Sequence, residues 1–187
     1  MKTLFLTYLM VVFVSASAQV DKYANSYVCK KGKAMFFSEN VIENIDAESN
    51  SMVCALNTES KKVVAKVLMT SFVFKDKLMQ EHFNENYLES DKYPSSVLDM
   101  VIVENIDFTK DGTYDVTLKG TLEMHGVKRN TEVKGKLVIK DNAPSLANAT
   151  FTVKLAEYNI KIPKAVVLSL AEEIKVYVDF VFIKYQK

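Results

Sequence analysis

The chain has no tryptophan, two cysteines, two histidines, five glycines and three prolines among its 187 residues. With Gly and Pro so scarce, its turns must lean on Asn, Asp, Ser and Lys. No linker, repeat or low-complexity tract follows the first 20 residues. There is no G-x-S-x-G, H-E-x-x-H, P-loop or G-x-G-x-x-G, so no catalytic residue stands out and the expectation is a protein that is not an enzyme. No cofactor is expected either. His82 and Glu85 stand at i, i+3, but nothing nearby completes the three protein ligands of a catalytic zinc, so no metal is expected. The 24 basic and 23 acidic residues are interspersed without a basic block. Nucleic-acid affinity rests largely on phosphate neutralisation, which removes nucleic acid from the expected partners. Asn148-Ala149-Thr150 matches a glycosylation acceptor, a triplet that is common by chance.

No segment offers the roughly 20 consecutive apolar residues of a spanning helix, so no transmembrane segment is expected in the mature chain. Lys2, the short apolar run Leu4 to Val14 and the ending Ser15-Ala16-Ser17-Ala18 read as a secretory signal peptide cut after Ala18. Gln19, not Cys, follows, which speaks against a bacterial lipid anchor. The expected organisation is a signal peptide over 1–18 and a single domain over 19–187, periplasmic or secreted. Loss of the first 18 residues leaves 169, with 23 basic against 23 acidic, enough for one core of its own. An exported compartment permits a disulfide between Cys29 and Cys54. A first hairpin turning near Asn44 would place Cys54 opposite Ala34, so a bond would need a register offset. The alternative is two small buried residues that pack as hydrophobes.

What the chain has in quantity is alternation. Tyr114, Val116, Leu118, Gly120, Leu122 and Met124 are apolar or small, and Asp115, Thr117, Lys119, Thr121 and Glu123 stand between them. After His125-Gly126 the pattern resumes with Val133, Gly135, Leu137 and Ile139, which makes a hairpin with one dry and one wet face. Strands are expected near 27–37, 40–47, 51–57, 62–74, 96–107, 113–124, 131–140, 148–156 and 173–184. In the strand 62–74 the phase slips between Met69 and Phe72, which reads as a bulge near Thr70-Ser71. A sheet with one dry face and few helices must curl onto itself. The expected fold is therefore all-β, an antiparallel eight-stranded barrel with one or two short helices at its ends. Between Lys75 and Pro94 the spacing turns helical: Leu78, Met79, His82, Phe83, Asn86 and Tyr87 share a face. A second short helix is expected from Pro163 to Glu172.

The inward stripes nominate residues that line a tunnel or fill a solid core; both need apolar atoms. They are Val67, Met69 and Phe72; Leu98 and Met100; Tyr114, Val116, Leu118, Leu122 and Met124; Phe151 and Val153; and Val178 and Phe180. Met79, His82, Phe83 and Tyr87 come from the helix, as lining or lid. Flexible Met suits a site that accommodates a floppy chain, and is also ordinary core filler. His82 fits a headgroup contact at the barrel mouth or a packed histidine with one hydrogen bond. His125, in the hairpin turn, reads as structural.

Three separated motifs carry a family resemblance. Leu78-Met79-Gln80-Glu81-His82-Phe83-Asn84-Glu85-Asn86-Tyr87 with Asp91-Lys92-Tyr93-Pro94, Gly120-Thr121-Leu122-Glu123-Met124-His125-Gly126-Val127-Lys128, and Phe151 to Pro163 ending in Tyr158-Asn159-Ile160-Lys161-Ile162-Pro163 resemble the YceI-like family of lipid- and polyisoprenoid-binding proteins. The resemblance covers roughly 27–184. It implies a lipocalin-like barrel with an elongated apolar cavity for an isoprenoid or fatty-acyl ligand, in a protein commonly exported to the periplasm. The chain departs from some members in lacking Trp. Two functions are thus expected in competition: an exported carrier that holds a polyisoprenoid or similar long amphiphile, or a solid-cored interaction module of the cell envelope. A Trp at Leu118 or Val116 would obstruct a tunnel. Val181 and Ile183 are mild hints of an outer apolar patch. Oligomeric state is left open, a dimer through an exposed barrel edge being one outcome.

Overall fold

The hairpin that dominates the sequence also dominates the fold. In the computed structural model, which describes residues 23–39, 44–162 and 171–186, β6 (Gly112–Met124) and β7 (Val127–Lys140) pair without interruption from Gly112↔Ile139 to Met124↔Val127. His125 and Gly126 form a two-residue loop with φ of 52° and 71°, the left-handed pair that matches strand twist. A second loop of this kind, Asp141-Asn142, joins β7 to β8 (Ala143–Lys154), and the Asp111 carboxylate accepts from both loop amides at 3.0 and 2.9 Å.

Six further long strands complete the barrel: β1 (Ser26–Ser38), β2 (Ile45–Asn57), β3 (Lys62–Leu68), β5 (Ser95–Ile102), β8 and β9 (Glu173–Val181). The order is β1-β9-β8-β7-β6-β5-β3-β2, all antiparallel, and β2 pairs back with β1 to close the ring. Two-residue strands β4 (Val73–Phe74) and β10 (Ile183–Lys184) add to β2 and β1. Closure removes the free edges that a curled sheet would otherwise expose. Cross-strand ion pairs such as Lys136–Asp115 at 2.7 Å and Lys33–Glu48 at 2.6 Å lie on the wet outer face, where each adds little.

Several expected boundaries move. The segments expected at 40–47 and 51–57 form one strand from Ile45, while 40–43 lie outside the described residues. The phase slip near Thr70-Ser71 is a 3₁₀ turn, Met69–Ser71, and not a bulge. Ser71 Oγ donates to Leu68 O at 2.6 Å, Ser49 and Ser71 hydroxyls meet at 2.7 Å, and β4 starts after the turn. The expected signal peptide over 1–18 and residues 163–170 of the second expected helix lie outside the described residues.

The first hairpin corrects the cysteine geometry. Ser38 pairs with Ile45, so the turn falls earlier than Asn44, and Cys29 stands directly opposite Cys54. Ala34 faces Ser49 instead. Irregularities on both strands, at Lys30-Lys31 and Asn50-Ser51, shift the inward phase and keep the partners matched. Both thiols are free and buried, and burial pushes Cys54 up to about 12.

The core divides along the barrel axis. At the end that carries the β7–β8 loop, Leu56, Met100, Ile102, Leu137 and Ile139 are at most 3% exposed and fill the lumen. At the other end the strands open around α1 (Lys77–His82), whose first turn is capped by Asp76 Oδ1 accepting from Met79 N at 3.0 Å.

Candidate ligand-binding cavity

The open half of the barrel encloses a cavity of about 340 Å³. Val67, Met69, Leu98, Leu122, Met124, Phe151, Val153 and Val178 line its walls, and Phe72, Met79, His82, Phe83 and Tyr87 line its covered end. Five residues nominated by alternation lie elsewhere. Met100, Tyr114, Val116, Leu118 and Phe180 are absent from the lining, because they sit on strand positions deeper than Leu98, Leu122 and Val178. Alternation reports which face a residue takes and carries no information on height along the barrel. Residues not nominated from the sequence also line the cavity, among them Phe36, Ile45, Met52, Phe74, Leu155, Ile160 and Ile174. The inward phase of β1 and β2 would have found Phe36 and Ile45 once the first hairpin's register was known.

Almost every lining group is apolar. Ser96 is satisfied internally, its hydroxyl donating to Glu123 O at 2.8 Å. Asp76, His82 and the Tyr87 hydroxyl supply the remaining polar atoms, all from the segment that covers the mouth. His82 is exposed, and burial raises the Tyr87 phenol above its ordinary pKa.

That cover is anchored by aromatic rings. α1 continues as a π-helical turn, Phe83–Tyr87, a rare geometry often found at functional positions. The turn sets Phe83 among three phenylalanines from the barrel rim. Its ring centroid lies 5.4 Å from Phe36, nearly parallel, 5.0 Å from Phe74 and 5.8 Å from Phe72. Gln80 Oε1 accepts from Phe74 N at 3.2 Å and ties α1 to β4. Leu78 lines the cavity while remaining 59% exposed, so it stands where lumen meets solvent.

A second anchor holds the end of the cover. His125, in the β6–β7 loop, has Nδ1 2.9 Å from Tyr158 O and Nε2 2.9 Å from Glu89 Oε2. Both partners are oxygen acceptors, one facing each ring nitrogen. Tyr93 meets the same ring edge-on, with centroids 4.5 Å apart. The hydrogen bond from His125, aided by the charge of Lys92, holds the Glu89 carboxyl below its ordinary pKa. His125 is thus a structural clasp, as its place in the turn implied. Among the described residues, no group of three or more His, Cys, Asp or Glu is placed to hold a metal ion, and no helix is long and apolar enough to cross a membrane.

The YceI-like domain family matches residues 19–182. The chain belongs to that family. The barrel is similar to a polyisoprenoid-binding domain from Saccharophagus degradans implicated in plant cell wall breakdown, with a TM-score of 0.67 at 11% identity, over 87% of this chain and 99% of that one. It is similar to Burkholderia cenocepacia BcnA, with a TM-score of 0.62 at 14% identity, over 80% and 95%. The Campylobacter jejuni YceI protein gives 0.54 at 16% identity over the whole of both chains. At these identities the likeness establishes the YceI-like fold. None of the curated proteins searched matches the chain.

Proposed function

We propose that this YceI-like protein binds an amphiphile with an apolar tail, isoprenoid or fatty acyl, tail inward and headgroup at the mouth beside Asp76, His82 and Tyr87. It acts by non-covalent binding, as a carrier or store of the lipid, with the segment 77–88 gating access. Export to the periplasm, which the first 18 residues imply, is part of this proposal. One observation carries it: a cavity with apolar walls whose polar groups, Ser96 apart, are confined to its covered end. Burying apolar tail there is favourable by about 25 cal/mol per Å² before the costs of association. The polyisoprenoid-binding description of one structural neighbour and the family membership support the same ligand class. The competing reading, an interaction module with a barrel solid throughout, loses its premise at the cavity. Leu146 and Val181, paired across β8 and β9, do give the outer surface one exposed apolar spot beside Ile183.

The test is Leu122→Trp, which fills the cavity from its wall. Trp at Leu118 or Val116 would instead crowd the packed half. The folded variant is expected to lose uptake of a fluorescent fatty acid. Unchanged uptake would remove the ligand from this cavity. Because the chain has no Trp of its own, emission of the introduced residue reports its burial directly.

A further inference from the structure

On the lipid-binding reading, we infer that the ligand's headgroup extends past Tyr87 into a second, polar pocket beside the cavity, and that the headgroup suited to it is a neutral polyhydroxyl group, glyceryl or sugar.

The pocket lies where the cover ends. After the π-helical turn the chain reverses at Glu89, whose φ of 43° is left-handed, and the His125 clasp ties Glu89 to the carbonyl of Tyr158. The reversal faces the 3₁₀ turn Leu155–Tyr158 and the residues that follow it. Tyr87, Leu155 and Ile160 line this pocket and the apolar cavity alike, so the two spaces meet across three side chains. Tyr87 is also one of the three polar groups at the cavity's covered end. A tail seated in the cavity therefore has its polar end beside the second pocket.

The chemistry of the two spaces differs. Asn86, Asn159, Lys161 and Glu172 line the second pocket, and none of them lines the first. They come from the cover, from the stretch after the 3₁₀ turn and from the approach to β9. Among the described residues, the side chains of these four have no hydrogen-bond or ion-pair partner. Their charges balance. Glu89 is engaged by His125 at 2.9 Å and by Lys92 at 3.6 Å, which leaves Lys161 and Glu172 with one charge of each sign. Neither a phosphate nor an ammonium group meets a surplus of opposite charge there. The Asn86 and Asn159 amides each offer two donors and an acceptor, and hydroxyls, which both give and take a hydrogen bond, match them. A lone alcohol or carboxyl at Tyr87 would leave these groups unused.

The experiment titrates the wild-type protein with dodecanol and with dodecyl glyceryl ether, which share a tail and differ in headgroup. The glyceryl lipid is expected to bind about tenfold tighter, from two added hydrogen bonds of ordinary net strength. Two variants change the second pocket and leave the apolar cavity intact. Ala156→Trp obstructs it, since Ala156 lines this pocket and not the cavity. The double variant Asn86→Ala, Asn159→Gly removes both amides, and glycine keeps the left-handed φ of 58° at position 159. Each is expected to cut the glyceryl preference to about twofold or less, with dodecanol affinity at its wild-type value. If the Trp variant does not fold, the amide variant reads the same loss. Equal wild-type affinities for the two lipids overturn the headgroup pocket. So does a preference that survives intact in either folded variant, and so does an equal loss of both lipids. Absence of wild-type binding by both lipids overturns the lipid-binding reading itself, a result distinct from the others.

Discussion

Replacing Phe83 with alanine should unlatch the cover from the barrel. Phe83 makes three ring contacts with centroids 5.0 to 5.8 Å apart, to Phe36, Phe72 and Phe74, and these three remain in contact with each other through Phe36. Each aromatic pair is worth about 0.5–1.5 kcal/mol beyond its area burial. Phe83 is only partly buried, so the loss is set by those contacts and not by a large core cavity. The closed cover should therefore lose about 2–3 kcal/mol relative to the open one, which raises the open population roughly 30- to 150-fold. Local opening of this kind is read by hydrogen exchange. Amides of Phe83 and Leu88, which donate to Met79 or Gln80 and to Phe83 carbonyls, should exchange faster by that factor, while amides of the β6–β7 ladder stay protected. Dissociation of a bound fluorescent fatty acid should accelerate in parallel. Glu85→Ala, an exposed change in the same turn, should alter neither quantity. Unchanged exchange and unchanged off-rate in a natively folded Phe83→Ala protein would refute the latch.

The Glu89–His125 clasp gives a pH dependence at the other end of the cover. Because the Glu89 carboxyl is held below its ordinary value, its contribution is fully present above the unfolded carboxylate pKa of about 4.3 and fades as pH falls through the lower folded value. Exchange protection around Glu89–Tyr93 should thus drop as pH falls below about 5, and Glu89→Gln should flatten that drop. A wild-type profile that stays level in acid would count against the clasp. The cysteines yield a third expectation. With burial pushing Cys54 up to about 12, its thiolate is scarce at about pH 8, so both free thiols should resist a disulfide reagent in the folded protein and react promptly once unfolded. Rapid native-state labelling would contradict the described burial.

The chain exposes its barrel to a reader of sequence because a two-sheet-face environment writes a period of two. Tyr114 to Met124 and the His125-Gly126 loop fold as their pattern dictates. The family motifs mark the cover and the hairpin that clasps it. What escapes the pattern has physical causes. Paired irregularities at Lys30-Lys31 and Asn50-Ser51 change the inward phase of both strands without altering which residues face each other, so only the turn position fixes Cys29 against Cys54. The 3₁₀ turn at Met69–Ser71 mimics a bulge because both shift phase, and only its hydrogen bonds to Leu68 and Ser49 distinguish them. The cavity's depth was equally hidden. Val116 and Leu118 share the inward face of Leu122 and Met124, and only their position along the barrel axis separates packed core from open wall.

The most direct test of the account is native mass spectrometry of the protein purified from its own host, with organic extraction of whatever it carries. One amphiphile per chain, isoprenoid or fatty acyl, is expected, lost on unfolding and lost in Leu122→Trp. A protein that is empty, and that takes up neither fatty acids nor isoprenoid alcohols when offered them, would contradict a lipid-binding barrel.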